Sequence, residues 1–318
     1  MKKAMFNLAK RKEFIKTLPH GKKSIGVEGM SIQLLSQGLR FYQGKDEAVI
    51  KDIISENEAS VRNLQKKVAK VSGDELFNVI LQDRKQLKEI MSDPKSVGAT
   101  LVGIMAENWI NREIEKWLGE KGAVDVLSHS VDNNVTSEMG LELLDVADVV
   151  RQYPAVVEYF AHARDESFFD DLARLEGGDA VIISIREYLE KYGMRCSGEV
   201  DITRPRWSEQ PTALIPMILS DIKNFGPNSH RIKFEQGLLG SKQKEQELLR
   251  RLEQLPGGKG KAKKTKKMIR VMRNLIGYRE YPKYGFIKRY AVYKTTLLRE
   301  AGKLVQNKVI REKEDIFY

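Results

Sequence analysis

Residues 74–91, DELFNVILQDRKQLKEIM, place Leu76, Phe77, Ile80, Leu81, Leu87 and Ile90 close to a 3.6-residue period, with Gln82, Asp83, Arg84 and Lys88 on the opposite side. That spacing makes an amphipathic helix, and its like recurs along the chain. Asp93-Pro94 ends this helix, and a second over 97–118 carries Leu101, Ile104, Met105, Trp109, Ile110, Ile114 and Trp117 before Gly119 stops it. The two are expected to pack antiparallel. Further helices are predicted over 139–150, from Pro154, over 180–192, from Thr212, over 230–255, over 268–276 and, entered through Pro282, over 283–305. Only Val181-Ile182-Ile183 and Val200 to Thr203 resemble strands, and both are short. The expected fold class is therefore all-α, a multi-helix domain with at most short irregular strands.

The 318 residues carry a formal net charge of +11 and 41% hydrophobic side chains, a globular and not a disordered balance. Much of the positive excess sits in Met1 to Lys23 and in the run Lys259, Lys261, Lys263, Lys264, Lys266, Lys267 that follows Pro256-Gly257-Gly258. That run reads as a flexible loop leading into a helix, its charge solvated. One cysteine, Cys196, excludes a disulfide framework and a cysteine-rich metal site. No apolar stretch approaches the roughly 18 to 20 residues of a membrane span, and a cytoplasmic location is expected.

The usual sites of small-molecule chemistry are missing from the sequence. There is no Walker-type glycine-rich loop and no dinucleotide fingerprint between a strand and a helix. Gly21, Gly26 and Gly29 follow no strand and read as linker glycines. His20, His129, His162 and His230 have no metal-ligand spacing, so no metal is expected in this chain. Cys196 lacks a histidine nearby to act as its base.

Two segments are richer in functional residue types than their surroundings. In Gly193 to Trp207, three arginines, two carboxylates and a tryptophan share a loop containing glycine and proline. Such a loop makes either an ion-pair network or an anion site, and pairing of Glu199 and Asp201 with Arg195, Arg204 and Arg206, with Trp207 at its end, is the favoured reading. In Arg279-Glu280-Tyr281-Pro282-Lys283-Tyr284, a helix that begins near Pro282 puts Lys283 and Ile287 one turn apart, with Arg279 just before the start. Cations at a helix start suit an anionic ligand, and a capped helix with solvated cations is an equal alternative.

These two segments, together with Asn134 to Asp148 (NVTSEMGLELLDVAD), resemble the middle region of dikinase-type phosphotransferases, and most closely the rifampicin phosphotransferases, also described as phosphoenolpyruvate synthase-like. The resemblance covers most of the chain and is clearest from Asn134 onwards. It implies an enzyme with an ATP-grasp domain, a helical antibiotic-binding domain and a swivelling domain whose histidine carries the phosphoryl group from ATP to a hydroxyl of a rifamycin-type drug. This chain resembles the helical domain, with Arg311 to Tyr318 similar to the connection into the swivelling domain. None of its four histidines has the glycine-, serine- and threonine-rich setting of the phosphorylated one.

By the same resemblance Arg279 and Lys283 face the acceptor pocket and support phosphoryl transfer, Ile287 adds apolar wall, and Met91 is a weaker candidate for that wall. ATP and Mg2+ are expected on the ATP-grasp domain and no cofactor on this chain. The implied partners are a rifamycin-type or other hydroxyl-bearing molecule and the two other domains, on the same or a neighbouring polypeptide. The whole of 1–318 is expected to be one helical region, with a subdivision near 130/131. Two alternatives stand beside this reading. One is a phosphoenolpyruvate synthase fragment acting on pyruvate, although no alternating strand and helix marks the barrel that would bind it. The other is a basic helical nucleic-acid-binding or scaffold protein using Lys259 to Lys267, although that run holds no aromatic side chain for base stacking.

Overall fold

The computed structural model of the chain describes residues 32–43 and 48–318. The basic segment 1–23, with His20 and the early glycines, lies outside them. The helices, in order, are α1 (Ile32–Gln43), α2 (Val49–Val68), α3 (Gly73–Met91), α4 (Pro94–Leu118), α5 (Ala123–Leu127), α6 (Val135–Val150), α7 (Pro154–Tyr159), α8 (Phe168–Leu172), α9 (Gly178–Tyr192), α10 (Ile215–Asn224), α11 (Ser229–Glu253), α12 (Gly258–Leu275) and α13 (Tyr281–Gln306). Among the described residues no strand forms. Val181 to Ile183 lies inside α9, and Val200 to Thr203 is a turn in which Asp201 accepts from the Thr203 backbone and hydroxyl at 2.9 and 2.8 Å.

The chain folds into two compact units, and neither is a continuous half. The first comprises the described residues up to 56, Lys88–Asn134 and Phe234–Pro282; the second comprises Asn57–Leu87, Val135–Lys233 and Lys283–Tyr318. The units interleave along the sequence, with one change of unit between Asn134 and Val135, and α11 and α13 each have residues in both.

In the first unit α4 packs on α1 and α12, while most of α3 belongs to the second unit. Capped by Asp93, α4 starts three residues earlier than the 97–118 reading, because the Asp93 carboxylate accepts from the Ser96 N–H at 3.0 Å and Pro94 fits the first turn. Gly119 closes the same helix in the left-handed conformation. Gly103 lets α4 approach α12, since a Cβ there would lie 3.2 Å from the Leu275 backbone. Arg273 on α12 donates to the Leu127 and His129 carbonyls at 2.6 and 3.0 Å, placing a cation at the carbonyl end of α5.

The lysine run 259–267 is not a loop but the first half of α12. Lysine is a good helix former, and the apolar positions Ala262, Met268, Ile269 and Met272 supply the buried stripe that the helix needs. Lys261, Lys264 and Lys267 lay their ammonium groups 5.4, 4.7 and 4.0 Å from the ring centres of Trp117, Trp109 and Tyr42. Those aromatic rings offset part of the repulsion among cations crowded on one helix.

Gly277 follows α12 where the chain passes closest to a neighbouring turn: a Cβ there would meet the Asp132 carbonyl oxygen at 2.2 Å and the Asn134 nitrogen at 3.1 Å. Both are backbone atoms, which cannot rotate away. Gly277→Ala is therefore expected to destabilise the chain by about 3 kcal/mol, the upper part of the overpacking range, read as a lower urea midpoint with an unchanged slope.

The second unit is built on α6, which packs against α9 and α10, with α8 against α9. A separate apolar cluster joins α2, α3 and α13 through Val61, Leu64, Val68, Leu76, Ile80, Val292 and Tyr293. Inside it Arg289 donates to both oxygens of Asp83 at 2.6 and 2.7 Å and to the Ser60 hydroxyl, and Tyr293 donates to Asp83 as well. Burial, then the Asp83 carboxylate, raises the Tyr293 pKa, so the phenol stays a donor.

Candidate functional site

The loop from Gly193 to Gln210 stands between α9 and the short 3-10 turn Pro211–Leu214, entirely within the second unit. Its shape is fixed by Arg206, which is almost wholly buried. The guanidinium donates to the Glu199 and Asp201 carbonyls at 2.8 and 3.1 Å and to the Cys196 sulfur at 3.3 Å, while the Arg206 backbone N–H donates to Glu209 at 2.9 Å. Arg206 thus ties the loop by its backbone and not through the carboxylates the sequence reading paired it with. The reason is geometric: a planar five-donor fork satisfies several carbonyls of a curled loop at once. Lys294, on α13, completes the tie by donating to the Arg204 carbonyl and to Glu209, each at 2.7 Å.

The carboxylates divide. Asp201 stays at the surface, 3.8 Å from Arg204, and the hydrogen bonds from Thr203 hold its pKa below the usual carboxylate range. Glu199 is buried, its side chain 5% exposed, with Arg195 Nε on Oε2 at 2.5 Å and Lys283 Nζ 2.7 Å from Oε1. The second contact is an ion pair without hydrogen-bond alignment. Lys283 itself is half exposed, so its ammonium faces both Glu199 and solvent.

A row of aromatic rings backs this arrangement. Trp207 stacks on Tyr188 at 6.4 Å, Tyr188 meets Tyr192 at 5.0 Å, Tyr192 meets Tyr284 at 6.5 Å, and the Arg195 guanidinium lies 5.9 Å from the Tyr284 ring centre. The Tyr192 hydroxyl donates to Glu142 at 3.0 Å and that of Tyr284 to the Lys191 carbonyl at 3.0 Å. Burial raises the pKa of Tyr188, Tyr192 and Tyr284, so all three remain donors and none serves as a base near neutrality.

In front of the loop opens a cavity of about 720 Å3. Met139, Val200, Pro205, Trp207, Ala213 and Met217 give it apolar wall, while Arg195, Glu199, Arg204 and Lys283 supply charge at one side. The volume falls in the range of small-molecule sites, and a largely apolar wall with a few convergent charges is their usual make-up. Among the described residues no histidine lines it. His230 is paired with Asp145 at 2.7 Å and His162 meets the Tyr159 ring edge-on at 5.5 Å.

The residues singled out in the sequence are only partly brought together. Lys283 joins Arg195, Glu199, Arg204 and Trp207 at the cavity. Arg279 does not: it belongs to the first unit, in the 3-10 turn Gly277–Glu280, with its Nε 3.3 Å from Glu280. Ile287 is completely buried and forms core, not wall, because one turn beyond Lys283 the helix faces the interior of its unit. Met91 ends α3, and its side chain lies outside what the structure describes. Met139, Ala213 and Met217 were missed. Met139 falls inside the distinctive stretch 134–148, but nothing in its spacing marks it as wall, and Ala213 and Met217 carry no signal before the fold is known.

Comparison with known proteins gives this geometry a family. The family model described as the rifampicin phosphotransferase fourth domain matches residues 95–280. The rifampicin phosphotransferase of Bacillus subtilis strain 168 is 48% identical over 318 residues, 100% of this chain and 36% of that protein. That of Bacillus cereus is 47% identical over 315 residues, 99% of this chain and 36% of its own length. That of Streptomyces sviceus is 50% identical over 273 residues, 86% and 32% of the two lengths. The chain thus spans about a third of the length of the curated relatives it matches. With the greater part of its length accounted for by that match, the chain belongs to the family of the rifampicin phosphotransferase fourth domain.

Proposed function

We propose that this chain is the acceptor-binding part of an ATP-dependent phosphotransferase, that its acceptor is a rifamycin-type antibiotic, and that the cavity in front of the 193–210 loop receives it. The observation that carries the reading is the pairing of an apolar wall, Met139, Pro205, Trp207 and Met217, with the half-exposed Lys283 ammonium at the same cavity. A large, mostly apolar macrocycle is held by such a wall, and two methionines let it adapt to an irregular surface. The names of the relatives supply the substrate class.

In the proposed reaction a phosphohistidine on another domain gives up its phosphoryl group to an acceptor hydroxyl. The N–P bond breaks, an O–P bond forms, and the hydroxyl proton passes, directly or through solvent, to the freed histidine nitrogen. On this proposal the Lys283 charge compensates that of the phosphoryl oxygens, the kind of electrostatic stabilisation on which phosphoryl transfer depends. ATP and Mg2+ would be held by an ATP-grasp domain, and the phosphorylated histidine by a swivelling one, both outside this chain. The single free cysteine accords with a cytoplasmic enzyme.

Titration with rifampicin tests the reading. Trp207 lines the cavity whereas Trp109 and Trp117 lie in the other unit, so saturable quenching should disappear in Trp207→Phe. Calorimetry should show binding weakened at least about tenfold by Met217→Glu, which puts a charge into apolar wall. Absence of saturable heat and quenching with the chain and with the assembled enzyme would sink the assignment.

A further inference from the structure

We infer that Glu199 is a positioning residue: its buried carboxylate holds the Lys283 ammonium at the edge of the cavity and releases it when a more negative group arrives. The inference rests on the acceptor-site reading above and assigns to Glu199 a role exerted through Lys283.

Glu199 cannot move easily. The Arg206 guanidinium fixes its carbonyl, Arg195 holds Oε2, and the Arg195 carbonyl is in turn held by the Trp207 N–H at 2.9 Å. Lys283 is the opposite case, a flexible four-carbon chain with a half-exposed head that would sample many rotamers without a fixed partner. The 2.7 Å contact between them therefore places the mobile cation by means of the rigid anion.

The two partners of Glu199 also differ in how they can be replaced. If Lys283 turns toward an incoming phosphoryl group, Arg195 stays on Oε2, and the buried carboxylate is never left without a counter-charge. Release is then inexpensive, because the cost of a buried charge arises when it loses its last partner. A neutral hydroxyl offers Lys283 no reason to leave Glu199, whereas a phosphoryl group with its charge spread over several oxygens does. The arrangement favours Lys283 engaging during transfer over its engaging in the ground state.

The test combines Lys283 reactivity with turnover. Competitive acetylation of the chain by acetic anhydride, read by mass spectrometry, should show Lys283 modified severalfold faster in Glu199→Gln than in the native protein. In the assembled enzyme, with the ATP-grasp and phosphohistidine domains present on the same polypeptide or supplied in trans, Glu199→Gln should lower kcat by about tenfold or more with KM for rifampicin within about threefold. Glu199→Asp, which keeps the charge, should recover part of both. Unchanged Lys283 acetylation overturns the inference. So does raised acetylation with unchanged kcat in an enzyme that Lys283→Ala slows. If Lys283→Ala turns over normally, the acceptor-site reading falls while raised acetylation still supports the hold of Glu199 on Lys283. Should Glu199→Gln fail to fold, Glu199→Asp carries the acetylation test, its carboxylate being one methylene further from Nζ.

Discussion

Replacing Lys283 with alanine lowers kcat for phosphoryl transfer to the acceptor by about 10²- to 10³-fold in the assembled enzyme and changes KM for rifampicin far less, on the acceptor role proposed for this chain. The split follows from where the cation acts. Lys283 is one charge beside a cavity whose wall is otherwise supplied by Met139, Pro205, Trp207 and Met217, so removing it takes away little apolar contact. What it removes is compensation for the charge of the phosphoryl group, which meets the acceptor only during transfer, and an interaction made only then appears in kcat. Lys283→Arg keeps the charge but brings a planar head that cannot reproduce an ammonium's contact with Glu199, and it should recover only part of the rate. Steady-state kinetics with varied rifampicin at saturating ATP decides the matter. Turnover equal to the native rate in Lys283→Ala removes the residue from the mechanism.

The largest effect on stability is expected away from the cavity, at the ion pair inside the α2, α3 and α13 cluster. Arg289→Met should cost about 3–5 kcal/mol, seen as a fall in the urea midpoint followed by circular dichroism. Arg289 and Asp83 are 1% and 8% exposed, and the guanidinium bonds both carboxylate oxygens. Without it, Asp83 keeps the Tyr293 hydroxyl but loses the cation that pairs with it among the described residues. A buried carboxylate in that state either stays ionised at high cost or takes up a proton. The double change Asp83→Leu with Arg289→Met should regain most of the loss, because it removes both charges and leaves similar volume. A single Arg289→Met variant as stable as the native chain would show that the pair is open to water.

The helices were largely legible in the sequence because their signals are local. The 3.6-residue period of 74–91, Asp93-Pro94 after α3, Gly119 after α4 and Gly193 after α9 each act within a turn or two. The misread segments show the limits of such signals. Lysine-rich 259–267 looked like a solvated loop until Ala262, Met268, Ile269 and Met272 were seen to face a core. Val181 to Ile183 carries strand-like residues, yet it sits in a helix because Val181 and Ile185, one turn apart, share its buried side.

The candidate site divides along the same line. The family pattern pointed to Lys283 and to the loop around Glu199 because both lie in stretches with long, unusual motifs. Whether a motif residue faces the cavity, the core or solvent depends on helix phase and on which unit the residue belongs to. Lys283 and Ile287 are one turn apart on α13, yet one reaches the cavity and the other the core. Arg279, only four residues before Lys283, lies in the other unit. By itself the sequence determined the all-helical fold and the family, because periodicity, caps and long motifs are properties of neighbouring residues. Only the tertiary structure decided which cation meets the cavity and which carboxylate holds it, because the contact between Glu199 and Lys283 joins residues more than eighty positions apart.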